Sequence, residues 1–218
     1  MRLRRLVLVV VAAGLTRCPV VRAAVTNGGF ESGTLAGWNT SGVVAAVTEE
    51  YARDFLGLPQ APAGGIWYPA GGSYFASLWS TDGGGADVSS LSQGFEGIAG
   101  DRLQFDYFFD FGDFAPDYDA AVVTLTGPSG ATVLLEINTP GHELGDDENV
   151  DWTSVSYILP AAGLYTLEFS IEDGPGVFES ILGVDNIQVQ AVVPTPGALV
   201  LGSVGIGVLG WFRRRRAA

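Results

Sequence analysis

Between residues 101 and 111 the chain reads DRLQFDYFFDF, with Leu103, Phe105, Tyr107 and Phe109 on one parity. A period of two sends alternate side chains to opposite faces of an extended backbone, so this stretch predicts a half-buried β-strand. Residues 120–127 (AAVVTLTG) and 131–137 (ATVLLEI) are branched apolar runs around Gly127-Pro128-Ser129-Gly130, and predict a hairpin closed by that turn. Residues 153–159 (TSVSYIL) and 164–171 (LYTLEFSI) flank Pro160-Ala161-Ala162-Gly163 and predict a second hairpin. The stretches GVVAAVT (42–48), SYFASLW (73–79) and GVDNIQVQAV (183–192) predict further strands. Helical periodicity is absent outside the two termini. Many short strands with Gly/Pro turns predict an all-β antiparallel β-sandwich, a jelly roll.

The terminal segments follow a different pattern. Residues 1–24 carry a basic start, an apolar run over residues 6–15, and small side chains at Ala23 and Ala24. That layout predicts an N-terminal signal helix, a secretory signal peptide cleaved after Ala23 or Ala24. Residues 197–212 are apolar apart from Ser203, follow Pro194 and Pro196, and end against Arg213, Arg214, Arg215 and Arg216. Sixteen residues fall just short of the usual ~20 for a spanning helix, yet suffice for a thin or thinned bilayer. The arginines would stay cytoplasmic and leave the preceding domain outside. The predicted organisation is a signal peptide (1–24), a β-sandwich domain (25–190) and a tail (191–218) with a C-terminal transmembrane helix.

Charge sharpens this division. All 24 acidic residues lie from Glu31 to Asp185, where Arg53 and Arg102 are the only basic ones. A surface so negative repels phosphate backbones and argues against a nucleic-acid partner. The one cysteine, Cys18, lies in the leader, so the central domain has no disulfide. The one histidine, His142, sits in an acidic loop beside Pro140-Gly141, with no cysteine or GxSxG serine to serve it. No activated nucleophile or base pair emerges, and the chain reads as a non-enzyme.

A short Pro motif, an apolar stretch and an Arg cluster, in that order, resemble the PEP-CTERM sorting signal of Gram-negative bacteria. The motif stands here as Val193-Pro194-Thr195-Pro196, with Thr195 where the Glu of the signal belongs. The resemblance implies an exosortase-like membrane protease and the secretion machinery as partners. It also implies transient anchoring in the inner membrane, followed by release to the cell surface or the exterior.

A second resemblance spans the central domain. Asn27, Gly28, Phe30, Glu31, Gly37 and Trp38 at its start, with Val184, Asp185, Asn186 and Ile187 at its end, resemble the galactose-binding-like jelly roll of many carbohydrate-binding modules. The resemblance implies that the first and last strands lie side by side, often joined by a structural Ca²⁺. Glu31 and Asp185 would be its carboxylate ligands, helped by carbonyls near residues 27–29; a hard cation wanting six to eight oxygens suits that mixture. The alternative is that both carboxylates accept turn hydrogen bonds without metal.

Among the aromatics, Trp38 and Trp79 read as core. Trp67 and Tyr68, between Gly64-Gly65 and Pro69-Ala70-Gly71-Gly72, read as a loop pair able to stack on a sugar ring. The loop DFGDFAPDYDA (110–120) alternates Asp110, Asp113, Asp117 and Asp119 with Phe111, Phe114 and Tyr118. Its spacing fails the EF-hand pattern, and it reads as a solvated loop packed by its own aromatics, or as a looser Ca²⁺ site. The function expected from all this is that of an exported surface or matrix protein whose non-catalytic, Ca²⁺-stabilised domain binds extracellular polysaccharide. The alternative is a structural matrix or adhesion protein with no defined small ligand.

Overall fold

A computed structural model of the chain describes residues 25–52, 65–80, 88–112, 118–143, 149–174 and 179–191. The predicted signal helix, the Pro motif, the apolar tail and its arginines lie outside the described residues. Within them every element is a strand, and no helix is long and apolar enough to cross a membrane.

The architecture is a doubled ribbon. Strands β8 (Ala120–Gly127) and β9 (Gly130–Ile137) form the predicted hairpin at its tip. Behind them β7 (Arg102–Asp110) pairs β10 (Val150–Ile158), β6 (Val88–Gly97) pairs β11 (Gly163–Glu172), and β5 (Phe75–Trp79) pairs β12 (Ile181–Gln190). All pairings are antiparallel, and the ribbon wraps so that successive pairs alternate between two sheets. With β1 (Asn39–Ser41) and β2 (Val43–Val47) on the edges, the orders are β1-β6-β11-β8-β9 and β10-β7-β12-β5-β2. This wrap is the expected jelly roll.

The second predicted hairpin does not form. β10 lies in one sheet and β11 in the other, so residues 159–162 cross between layers. The crossing is pinned from within: the Tyr165 hydroxyl donates to the Ala161 carbonyl at 2.7 Å and accepts from the Ala161 amide. Such a tyrosine turns a corner between sheets rather than closing a hairpin.

Alternation fills the space between the sheets. β7 contributes Leu103, Phe105, Tyr107 and Phe109, β11 contributes Tyr165, Leu167, Phe169 and Ile171, and β8 contributes Ala121, Val123 and Leu125. Phe105 meets Phe169 edge-on with ring centroids 5.1 Å apart. Each such side chain removed from water contributes about 1.5–3 kcal/mol. The outer face of the first sheet is mainly polar, as Ser90, Ser92, Glu96, Thr124, Thr126, Thr166 and Glu168 alternate with those core positions, with Leu164 and Val88 exposed among them.

The N-terminal segment closes one end of this core. Asn27, in a left-handed conformation, donates its side-chain amide to the Thr34 and Ala36 carbonyls. The hook so formed buries Phe30 against Trp38, ring centroids 5.7 Å apart, while the Trp38 indole N–H donates to the Asn27 carbonyl. Gln93 of β6 fastens the hook: its side chain accepts from the Thr26 amide at 2.6 Å and donates to the Thr26 and Gly37 carbonyls. Replacing Gln93 with Leu strands these backbone groups at a half-buried position. The expected cost is roughly 2 kcal/mol, read as a lowered denaturant midpoint at unchanged m-value.

Candidate functional site

Two regions carry chemistry beyond packing. The first is the junction of the domain's ends. Gly28 lies directly against β12, its carbonyl accepting the Ile187 amide at 2.8 Å, which sets the opening segment beside the last strand as the resemblance implied. Asn186 takes a positive φ of 52°, and the register of β12 against β7 shifts between Asp185 and Gln188. Such an irregularity re-aims a side chain. Asp185 is almost fully buried and directly opposite Asp106 on β7.

Glu31 and Asp185 both border the turn 71–74. The Glu31 carboxylate accepts the Ser73 amide at 2.9 Å and the Tyr74 amide at 3.1 Å, and Asp185 accepts the amides of Gly71 at 3.0 Å and Asn186 at 2.6 Å. Asp106 accepts from the Asn186 side chain at 2.8 Å and from the Ser154 hydroxyl. Burial raises the Asp185 pKa from 3.8 to about 6, with the negative charges of Asp106 and Glu31 adding to it and the two amide bonds opposing it.

The space between the two carboxylates is kept by glycine. A Cβ on Gly29 would sit 3.8 Å from both the Asp185 Oδ1 and the Glu31 Cγ. One on Gly72, where φ is +66°, would lie 2.2 Å from the Glu31 carboxylate. Two carboxylates and a run of side-chain-free backbone suit a hard cation. Against that, among the described residues no group of three His, Cys, Asp or Glu side chains converges as a metal cluster. A cation here would draw its remaining oxygens from carbonyls and water. The turn hydrogen bonds of the alternative reading are present as well.

The second region is the outer face of the second sheet, where alternation breaks down. Phe75, Ser77, Phe108, Asp110 and Ile181 point away from the main core yet are buried. The cover is a separate two-stranded ribbon, β3 (Glu50–Tyr51) with β4 (Ile66–Trp67), and beneath it lies a second hydrophobic cluster. Trp67 is therefore neither in a loop nor at the surface: it is 0% exposed, stacked flat on Phe108 at 4.1 Å and 2°. This corrects its reading as an exposed sugar platform. Its indole N–H donates to Asp110 at 3.0 Å. Tyr68 is 57% exposed, and its carbonyl accepts the Trp152 indole N–H at 2.8 Å. Trp152 and Trp79 are partly exposed on this face, so Trp79 belongs to the outer cluster rather than the inner core. Glu50 accepts from the Ser77 hydroxyl at 3.0 Å and the Trp79 indole N–H at 3.1 Å.

The acidic loop after β7 is not solvated where it is described. Asp110 is fully buried, and Asp119 is buried while accepting from Ser80, Gly174 and Ser180. Phe111 and Tyr118 do pack on each other, ring centroids 5.6 Å apart, while Asp113, Phe114 and Asp117 lie outside the described residues. His142 is exposed and lies 3.4 Å from the Glu136 carboxylate.

No family model and no curated protein matches this chain. Among solved structures the chain is similar to TmCBM61 in complex with β-1,4-galactotriose, at 18% identity, covering 77% of this chain and 97% of that one, with a TM-score of 0.48. It is also similar to CBM27-1 of Caldicellulosiruptor saccharolyticus in complex with mannohexaose, at 11% identity, 78% and 97% coverage and a TM-score of 0.46. A third is the K3 cleaved adhesin domain of Lys-gingipain from Porphyromonas gingivalis w83, at 18% identity, 77% and 98% coverage and a TM-score of 0.42. Identity at this level transfers no ligand.

Sequence reasoning passed over Phe108, Ser77, Glu50 and Asp106, and placed Asp110 in a loop rather than beneath the ribbon. One signal was present. The doublet Phe108-Phe109 places a large aromatic on each face of one strand, which is the mark of a strand buried on both sides.

Proposed function

We propose that this chain is an exported, non-catalytic protein whose sandwich domain binds neutral extracellular polysaccharide. The observation that carries this reading is the contrast between the two outer faces. One presents mainly Ser, Thr and Glu with scattered apolar side chains such as Leu164 and Val88, whereas the other brings Tyr68, exposed, and Trp79 and Trp152, partly exposed, together above the buried Ser77, Glu50 and Asp110. Aromatic faces accept the C–H faces of pyranose rings, and neighbouring carboxylates and indole N–H groups hydrogen-bond hydroxyls. The strongly acidic surface favours a neutral glycan over an anionic one.

In this reading residues 1–24 direct export, and the tail with Val193-Pro194-Thr195-Pro196 and Arg213–Arg216 is a PEP-CTERM-like sorting signal handled by an exosortase-like protease. A structural Ca²⁺ held by Glu31 and Asp185 ties the domain's two ends together in place of a disulfide. The test is isothermal titration of the full-length protein, in mild detergent with calcium, against neutral β-glucan, β-mannan, β-galactan and xylan. Saturable binding to one of them is expected, weakened at least tenfold by Tyr68→Ala or Trp152→Ala, about 1.4 kcal/mol. Binding to none of the four would move the assignment to a structural matrix or adhesion protein.

A further inference from the structure

Resting on that reading, we propose that Trp67 is a built-in placeholder for a pyranose ring: the β3–β4 ribbon closes the Phe108 seat in the free protein, and a polysaccharide chain takes the seat by displacing it.

Three observations carry this. First, the ribbon is a separate layer. Among the described residues Glu50 pairs with Trp67 and Tyr51 with Ile66, the Ala52 amide adds one bond to Gly65, and neither strand belongs to a main sheet. Second, the seat has the form of a sugar subsite. Its floor is the Phe108 ring, and its wall is Trp152, standing at 88° to Phe108 and at 90° to Phe75. A flat ring rests there now, the Trp67 indole, in parallel contact with the floor. Third, the polar ties holding the ribbon down are ones that hydroxyl groups can replace. Asp110 accepts the Trp67 N–H, the Ser77 hydroxyl and the Trp79 N–H donate to Glu50, and the Trp152 N–H donates to the Tyr68 carbonyl.

Lifting the ribbon thus uncovers an aromatic floor ringed by a carboxylate, a hydroxyl and two indole N–H groups. That set is complementary to a neutral pyranose, which stacks through its C–H face and both donates and accepts at its rim. A purely apolar interlayer would bury no carboxylate beneath a removable cover, because an ionised group there demands polar partners. Closure lowers the apparent affinity by the fraction of molecules that are open, and a variant that leaves the seat vacant escapes that reduction.

The experiment titrates full-length wild type, Trp67→Ala and Phe108→Ala with β-glucan, β-mannan and β-galactan. Amide hydrogen exchange of wild type with and without saturating glycan accompanies it. Trp67→Ala should bind at least tenfold more tightly than wild type, and Phe108→Ala should lose binding. Saturation should deprotect the ribbon, including the Ala52 amide that now donates to the Gly65 carbonyl at 2.9 Å. Equal or weaker binding by a folded Trp67→Ala protein overturns the placeholder while leaving polysaccharide binding in place. Should that variant not fold, the exchange data decide alone: unchanged or slower exchange of the ribbon on saturation overturns it. Absence of binding by every folded form removes both the placeholder and the polysaccharide reading.

Discussion

Gly183→Ala should lower the stability of the sandwich by about 3 kcal/mol, the upper part of the usual range for overpacking. The reason is a single contact. A Cβ at position 183 would lie 1.9 Å from the Phe108 ring, and that ring is clamped between β12 and the flat face of Trp67. A flexible side chain would swing aside, but Phe108 is fully buried and cannot move without lifting Trp67 as well. In a domain of this size the change amounts to a melting temperature lower by roughly 10 °C, which scanning calorimetry reads directly. Gly94→Ala is the contrasting control. Its nearest neighbour is the Tyr165 carbonyl at 3.7 Å, an ordinary contact, and the substitution should be close to neutral. Equal effects at the two positions would show that backbone freedom, not the fit under Phe108, fixes the glycine on β12.

Calcium should stabilise the protein at pH 7, and Asp185→Asn should abolish the effect. At a hundredfold excess over the dissociation constant, a cation specific to the native state adds about 2.7 kcal/mol. The pH dependence follows from the raised Asp185 pKa, whose main cause is burial. Folded protein keeps this proton up to a pH of about 6, whereas the unfolded chain releases it near 3.8. Between those values the native state holds more protons, so this group's contribution to stability falls as pH rises. In chelator, wild type should therefore lose stability over that interval, and Asp185→Asn should show a flatter profile whatever constant offset its altered amide bonds introduce. With calcium, wild type should regain stability at neutral pH and Asp185→Asn should not, because the cation neutralises the charge that burial penalises and competes with the proton for it. Melting curves with calcium and with chelator that superimpose at pH 7 would remove the cation from this junction.

How much of this was legible in the chain varies with the physical signal each element carries. β7 and β8 announce themselves because their inner faces are uniformly apolar at period two, whereas β9 shows apolar residues on one parity in the sequence but changes parity at a register shift against β8. β6 does not: its inward positions include Ser89, Gln93 and Gly97 beside Leu91 and Phe95, so polar residues with structural duties mask the alternation. The pair β10 and β11 shows another limit. Parity states which side chains are buried but not which sheet a strand joins, and a Pro-to-Gly turn serves a crossing as readily as a hairpin. Glu31 and Asp185 were found because the N-terminal and C-terminal motifs could be matched together. Asp106 was passed over because a polar residue of outward parity looks solvated until its register opposite Asp185 is known. Trp67 was misplaced because a strand of two residues, flanked by glycine and proline, is too short for periodicity to register.

The place of β12 in the second sheet bears on how the protein is made. This last strand of the described chain is not an edge: it lies between β5 and β7, and its partner Ala76 precedes Val184 by more than a hundred positions. Until it arrives, β5 and β7 have no common neighbour, Gly28 has no strand to lean on, and the core stays open on one side. Long-range closures of this kind are slow. A chain that still lacks β12 therefore cannot close the second sheet, so completion of the sandwich waits on its C-terminal strand.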